Sequence, residues 1–314
     1  MDESPERRNL ARGGHDPVLT EIGRDQHHGP HDGADIGAHP ATDGSTHTHS
    51  TDTAGEHNDH HESDSTPTHH DGPQVPERYV ELADGTQHRV WASNEHLQSL
   101  PSRFDAADAW LADRGLTRAD VQPLLVQPAD WLNGAQRELI YGFRHEFPDV
   151  ANGEALQKVT DVRQADGRLA GGTEDRPASA TGGSVSVARD TRDLTTPEHI
   201  YDGLALEYPD TPFAPDKPAI AMRFTVADGV PVHLPDQQLS RLAGHGDSFD
   251  PGYGYPFTGT GFTASDHFTV PEYFLAGGTR MNPGAEMYRI DPDGTESLLA
   301  VLDPGGRWVK VKDG

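Results

Sequence analysis

The sequence predicts an α+β fold: a disordered N-terminal tail, a small helical unit, then a mixed or antiparallel β-rich domain with a few helices. Three observations carry this. Residues Met1 to Pro76 contain no Phe, Tyr or Trp and few large aliphatics. Residues 77–162 carry helical periodicity with recognisable caps. Residues 185–314 carry short alternating strands separated by Pro-Gly and Asp-Gly turns.

A segment without apolar area to bury cannot offset the entropy of ordering its backbone, so 1–76 is read as a disordered, acidic, histidine-rich tail. His47, His49, His57, His60, His61, His69 and His70 are loose chelators of zinc, nickel or copper at best, because a floppy chain loses affinity on ordering. A solvated linker is the favoured reading, and no metal site is assigned. The chain has 314 residues, a formal net charge of −26 and no cysteine. Disulfides, thiolate metal sites and cysteine nucleophiles are excluded. The charge repels phosphate backbones and anionic lipid, which argues against nucleic-acid and membrane partners. No 18-residue apolar run occurs, and MDESPERRNLARGGHD lacks the apolar core of a secretory signal. The expected location is the cytoplasm, or outside the cell by an unconventional export route. The abundance of Ala, Gly, Asp, Pro and Arg resembles the usage of high-GC, actinobacterial chains.

Residues RYVELADGTQHRVWA predict a β-hairpin, with Tyr79 and Glu81 alternating with Val80 and Leu82, and Asp84-Gly85 as the turn. Ser102 starts a helix that runs through Asp113, buries Phe104, Ala107, Trp110 and Leu111, and stops at Gly115. Thr117 and Asp120 form a capping-box start for a second helix, which Pro123 should cut. A third helix, about 133–146, places Leu139, Ile140 and Phe143 on one side. The Gly-, Ala- and Ser-rich stretch 163–184 reads as a linker.

In the region 185–314, Thr196-Pro197-Glu198 marks a helix start, with the helix expected to reach Tyr208. AIAMRFTV (219–226) is a strand, and a short helix spans about 236–242. A meander follows: 268–275, 284–290, 295–302 and 307–311. Asp291-Pro-Asp-Gly294 and Asp303-Pro-Gly-Gly306 are its turns. Pro271 puts its strand at an edge or a bulge.

Three features could carry chemistry. Arg223 lies in an otherwise apolar strand, and a guanidinium facing a core must be paired or bind an anion; a solvated strand face is the simpler alternative. Thr263 and Ser265 follow a Gly-aromatic loop in which Tyr253, Tyr255, Phe257 and Phe262 could stack a planar ring or plug the core. Glu296 begins a strand of apolar neighbours, either as a site carboxylate or as a solvated turn residue.

In order and spacing these residues resemble the bacterial ADP-ribosyltransferase toxins of the Arg–Ser–Glu class, as found in C-terminal domains of actinobacterial polymorphic toxins. The likeness covers about residues 185–314. It rests on Arg223 in an early strand, on Thr263-Ala264-Ser265, and on Glu296 followed by LLAVLDPGGRWVKV. The resemblance implies NAD as substrate, and catalytic roles for Glu296, Arg223 and Ser265. It also implies NAD binding by Arg223, Phe262, Thr263 and Ser265, no metal, a protein target and an immunity protein. Phe224 stands where the family often has Gly. Thr-Ala-Ser replaces Ser-Thr-Ser, and Gly294 replaces the first acid of the Glu-x-Glu pair. That last change argues against transfer to an arginine side chain. Cleavage of the nicotinamide–ribose bond with water as acceptor survives it better. Two alternatives stand beside this reading. One is a hydrolase or nuclease toxin using His233, His245, Asp247, Asp250 and His267. The other is a non-enzymatic, exported interaction module.

Overall fold

The computed structural model describes residues 76–246 and 257–312. The tail with its histidines, and Asp247, Asp250, Tyr253 and Tyr255, lie outside the described residues. The described residues form one compact unit. Its α+β architecture is the one expected.

The hairpin is present: β1 (Arg78–Glu81) pairs antiparallel with β2 (Gln87–Val90). Gly85 takes φ +85° in the turn, and Asp84 accepts from the Thr86 backbone and hydroxyl. Four helices follow: α1 (Asn94–Ser99), α2 (Asp105–Ala112), α3 (Arg118–Leu125) and α4 (Gly134–His145). Thr117 and Asp120 form the capping box of α3, and Asn133 with Gln136 forms that of α4. Pro123 does not cut α3. The helix continues to Leu125 because Val121 and Leu125, four residues apart, both bury completely. Phe104, Leu111, Val121, Leu125, Ile140 and Phe143 form a helical core that also takes in Leu239 and Phe262.

The remaining strands form one sheet. They are β3 (Leu156–Thr160), β4 (Ala180–Val187), β5 (Ala219–Phe224), β6 (Tyr273–Arg280), β7 (Glu286–Ile290), β8 (Glu296–Leu302) and β9 (Trp308–Lys310), in spatial order β6-β4-β3-β5-β7-β8-β9. All neighbours are antiparallel. Three of these strands depart from the sequence reading. Strand β3 lies in the stretch read as helical, and the presumed linker 163–184 holds helix α5 (Val162–Leu169) and the first half of β4. Gly182 and Gly183 made β4 look like a loop. Instead, Gly182 allows close strand contact: a Cβ there would stand 2.7 Å from the Gly277 Cα and 2.8 Å from the Ala276 carbonyl oxygen. Strand β6 starts later than expected, because Pro271 has no N–H for a ladder and pairs only as an isolated bridge to Phe262. It is an edge strand, as Pro271 suggested.

Helix α6 (Pro197–Gly203) starts at the expected Thr196 cap but ends five residues early. Ala205 turns left-handed at φ +50°. The Leu206 N–H then bonds the Tyr201 carbonyl and the Ala205 N–H that of Asp202, a Schellman close with Ala in the usual glycine place. Helix α7 (Gln237–Leu242) packs on α4.

The sheet curls. The Trp308 indole on β9 donates to the Ala178 carbonyl just before β4, at 2.9 Å. Leu156, Val187, Met222, Phe224, Leu275, Met287 and Leu302 fill the inside of the curl. On the other face, Ala219, Ala221, Tyr288 and Ile290 pack under α6 through Ile200. The hairpin covers the β9 edge: the Lys312 N–H bonds the Glu81 carbonyl and the Ala83 N–H bonds that of Lys310. A buried ion pair, Arg103 to Asp190 at 2.6 Å, ties the helical layer to the sheet.

Gly182→Ala is expected to destabilise the fold by about 1–3 kcal/mol, because the clash is backbone to backbone. Gly134→Ala, where a Cβ meets nothing within 4 Å, should change stability by no more than about 1 kcal/mol. Urea unfolding of the two variants checks the contrast.

Candidate functional site

Strand alternation puts Gln157, Arg223 and Glu286 side by side on one face, because Gln157 pairs with Arg223 and Arg223 with Glu286 across β3, β5 and β7. All three are buried, Glu286 completely. Arg223 cannot remain charged there without partners. Its Nε donates to Gln157 Oε1 at 2.8 Å and its Nη1 to the Ala92 carbonyl at 2.7 Å. Its Nη2 meets Glu296 Oε2 at 2.7 Å, and its guanidinium lies over the Tyr288 ring at 4.7 Å.

Glu286 gathers four donors. Its Oε1 takes the Trp91 N–H at 2.9 Å and faces the His88 Nε2 at 2.7 Å. Its Oε2 takes the Ala92 N–H at 2.9 Å and the Tyr288 hydroxyl at 2.5 Å. Burial, together with this carboxylate, pushes the Tyr288 phenol far above its ordinary range, so Tyr288 stays a proton donor. Glu296 takes the Asn94 N–H at 2.7 Å on its free oxygen. The Trp91 indole donates to the Gly284 carbonyl at 2.8 Å. Residues 88–94 thus form a strap over two carboxylates and a guanidinium, with its backbone supplying donors to both acids and an acceptor to Arg223.

The other sequence candidates sit elsewhere. Ser265 accepts from the backbone N–H groups of His267 and Phe268, at 3.2 and 2.9 Å, and donates to Asp202 at 3.3 Å. Thr263 donates to the Gly203 carbonyl at 2.7 Å. Both brace the end of α6. Phe262 is buried in the helical core, stacked on Phe143 at 5.3 Å, with Phe147 at its edge and the Arg144 guanidinium above it. Packing therefore occupies the ring that was to stack nicotinamide. Among the described residues, no hydrogen bond or ion pair joins Phe262, Thr263 or Ser265 to Arg223 or Glu296. Of the histidines, His233 bridges to Phe274, His245 pairs with Glu138 and stacks on Tyr141, and His267 pairs with Asp202. Among the described residues no group of three His, Asp or Glu is placed to hold a metal, and no helix is long and apolar enough to cross a membrane.

Sequence reasoning missed Glu286, Gln157 and the strap. Period-two alternation along GAEMYRI, aligned with Arg223, was the one available signal for Glu286. Compared with known proteins, the chain matches no family model, no curated protein and no solved structure.

A second polar group lies elsewhere in the sheet. Burial pulls the Lys158 amine down to about 8, and the amine donates to the Ser184 carbonyl at 3.1 Å. Burial pushes Glu272 up to about 7, against the nearby charges of Lys158 and Arg144.

Two measurements test these assignments. Glu286→Gln replaces an acceptor facing four donors with an amide that brings its own N–H groups; it should destabilise by about 3–5 kcal/mol in urea unfolding. For Glu272, the folded state keeps a proton that the unfolded chain releases from about 4.5 upward. Its contribution is therefore full below about 4.5 and falls as pH rises to about 7. Unfolding midpoints at pH 5 and pH 8 should differ less in Glu272→Gln than in the parent protein; an equal difference contradicts the assignment.

Proposed function

We propose that the protein is a toxin-like ADP-ribosyltransferase or NAD glycohydrolase whose catalytic pair is Arg223 and Glu296, held closed by the strap 88–94. The contact between Arg223 and Glu296, 2.7 Å across strands β5 and β8, carries the reading. The cation and the carboxylate that the family resemblance singles out are far apart in sequence and adjacent in space.

The chemistry follows from these groups. The bond between the ribose anomeric carbon and the nicotinamide nitrogen breaks, and its electron pair leaves with nicotinamide. Glu296 accepts from a ribose hydroxyl and stabilises the oxocarbenium-like charge. Arg223 donates to a phosphate oxygen. Water or an acceptor nucleophile then attacks the anomeric carbon and gives up its proton to solvent. Gly294 in place of a second acid favours water over an arginine acceptor. Ser265 acts from a distance, by fixing the loop against α6. The strap resembles a substrate in its hydrogen bonding. Its N–H groups donate to the carboxylates as ribose hydroxyls would, and the Ala92 carbonyl accepts from Arg223 as a phosphate oxygen would. NAD can enter only when the strap lifts.

The full pairing of Arg223 favours a second reading, in which this cluster merely fastens the hairpin and the protein is a non-enzymatic interaction module. One experiment separates the two. The full-length chain should release nicotinamide from NAD. Trp91→Ala, which loosens the strap, should raise the rate several-fold, and Glu296→Gln should lower it by about 10²–10³-fold. Absence of release from both the parent and the Trp91→Ala chain, or an unchanged rate in Glu296→Gln, leaves the interaction module standing.

A further inference from the structure

At the end of β5 away from Arg223 lies a cavity of about 480 Å³. It is bounded by the start of α5, by α6 and by the long loop that joins α6 to β5. Its volume falls in the range of small-molecule sites, roughly 300–1,000 Å³. The proposed NAD chemistry does not use it.

The loop forming one wall is held in an unusual backbone. Ala205 and Asp210 both take positive φ, +50° and +59°, and among the described residues they are the non-glycine residues that do so. Such conformations persist where surrounding structure over-determines them, and they cluster at binding sites. Short turns staple this loop: the Thr211 N–H bonds the Tyr208 carbonyl, and the Lys217 N–H bonds that of Ala214. The wall is therefore shaped before any ligand arrives.

The lining is specific in kind. Tyr201 and Phe213 offer partly exposed rings for a flat ligand. Arg163 and Lys217 are exposed cations at the same cavity, on a chain whose net charge is −26. Neither forms an ion pair or a side-chain hydrogen bond among the described residues. The Gln164 amide oxygen is held by the Thr160 hydroxyl at 2.9 Å, which orients its NH₂ group and leaves that group to donate. Asp210, and the second carboxylate oxygen of Asp161, whose Oδ1 caps α5 by accepting the Gln164 N–H at 3.0 Å, add acceptors suited to sugar hydroxyls. Stacking rings, an oriented amide, hydroxyl acceptors and two cations together match a nucleotide.

We propose that this cavity binds a nucleoside monophosphate, with the base against Tyr201 and Phe213 and the phosphate at Arg163 and Lys217. The two carboxylates set the upper limit on ligand charge, so a triphosphate gains nothing over a monophosphate. The proposal does not depend on NAD cleavage, and Glu296 is not part of the cavity.

Isothermal titration of the full-length chain with AMP, adenosine, ATP and inorganic phosphate tests it. AMP should bind saturably, adenosine at least tenfold more weakly, ATP no more tightly than AMP, and free phosphate negligibly. Lys217→Glu should weaken AMP at least tenfold and leave adenosine unchanged, and Phe213→Ala should weaken both. Lys217 is exposed and Phe213 partly so, and an unchanged melting temperature confirms that the variants fold. Glu296→Gln should bind AMP like the parent protein, which separates this site from the catalytic reading. Absence of AMP binding, equal affinity for AMP and adenosine, tighter binding of ATP, or full AMP affinity in Lys217→Glu overturns the proposal.

Discussion

A guanidinium placed on a fully buried strand sets the terms for much of this molecule. Arg223 sits in β5, where every residue from Ala219 to Phe224 is buried. Moving such a charge out of water costs several kcal/mol unless its donors are satisfied. Its partners come from three different parts of the chain: Gln157 from the neighbouring strand, Glu296 from β8 and the Ala92 carbonyl from the strap. Two carboxylates beside it, Glu286 fully buried and Glu296 partly so, then need donors of their own, and the strap backbone supplies them. Hairpin, strap and sheet are joined because this cluster cannot be left half-satisfied.

The sheet face explains why two readings of the cluster remain in competition. On the inside of the curl the sheet packs largely apolar side chains, which need only shape. On the other face the same strands carry a cation, two acids and a phenol, a costly arrangement for fastening a hairpin alone. Well-packed apolar residues would fasten it as well or better. The expense suits a site whose groups exchange one set of partners for another, and it is the physical basis of the proposed latent enzyme. The same β5 face runs from this cluster to the cavity beside α6, so one strand serves both ends.

Much of the local structure was legible in the sequence. The hairpin turn at Asp84-Gly85, the caps at Thr117 and Thr196, and the meander from β7 to β9 rest on interactions within a few residues of chain. These are the interactions that residue pattern encodes directly. The misreadings share a cause as well. Gly182 and Gly183 suggested a linker, but the glycine at 182 lets β4 approach β6. Pro123 suggested a helix end, but burial of Val121 and Leu125 outweighed the lost hydrogen bond. Ala205 gave no sign that it would take a glycine's place at the close of α6.

By itself the sequence determined the fold class and most helix starts and turns, and it narrowed Arg223 to two outcomes, a paired or ligand-binding cation in a core or a solvated strand face. Only the tertiary structure decided which groups answer it. Glu296 comes from a strand far along the chain, Glu286 is marked only by strand alternation that needs the β5–β7 register to be read, and a backbone strap has no side-chain signature at all. Phe262 entered the helical core for the same reason: an aromatic ring buries wherever packing is densest, and that place is set by residues remote in sequence.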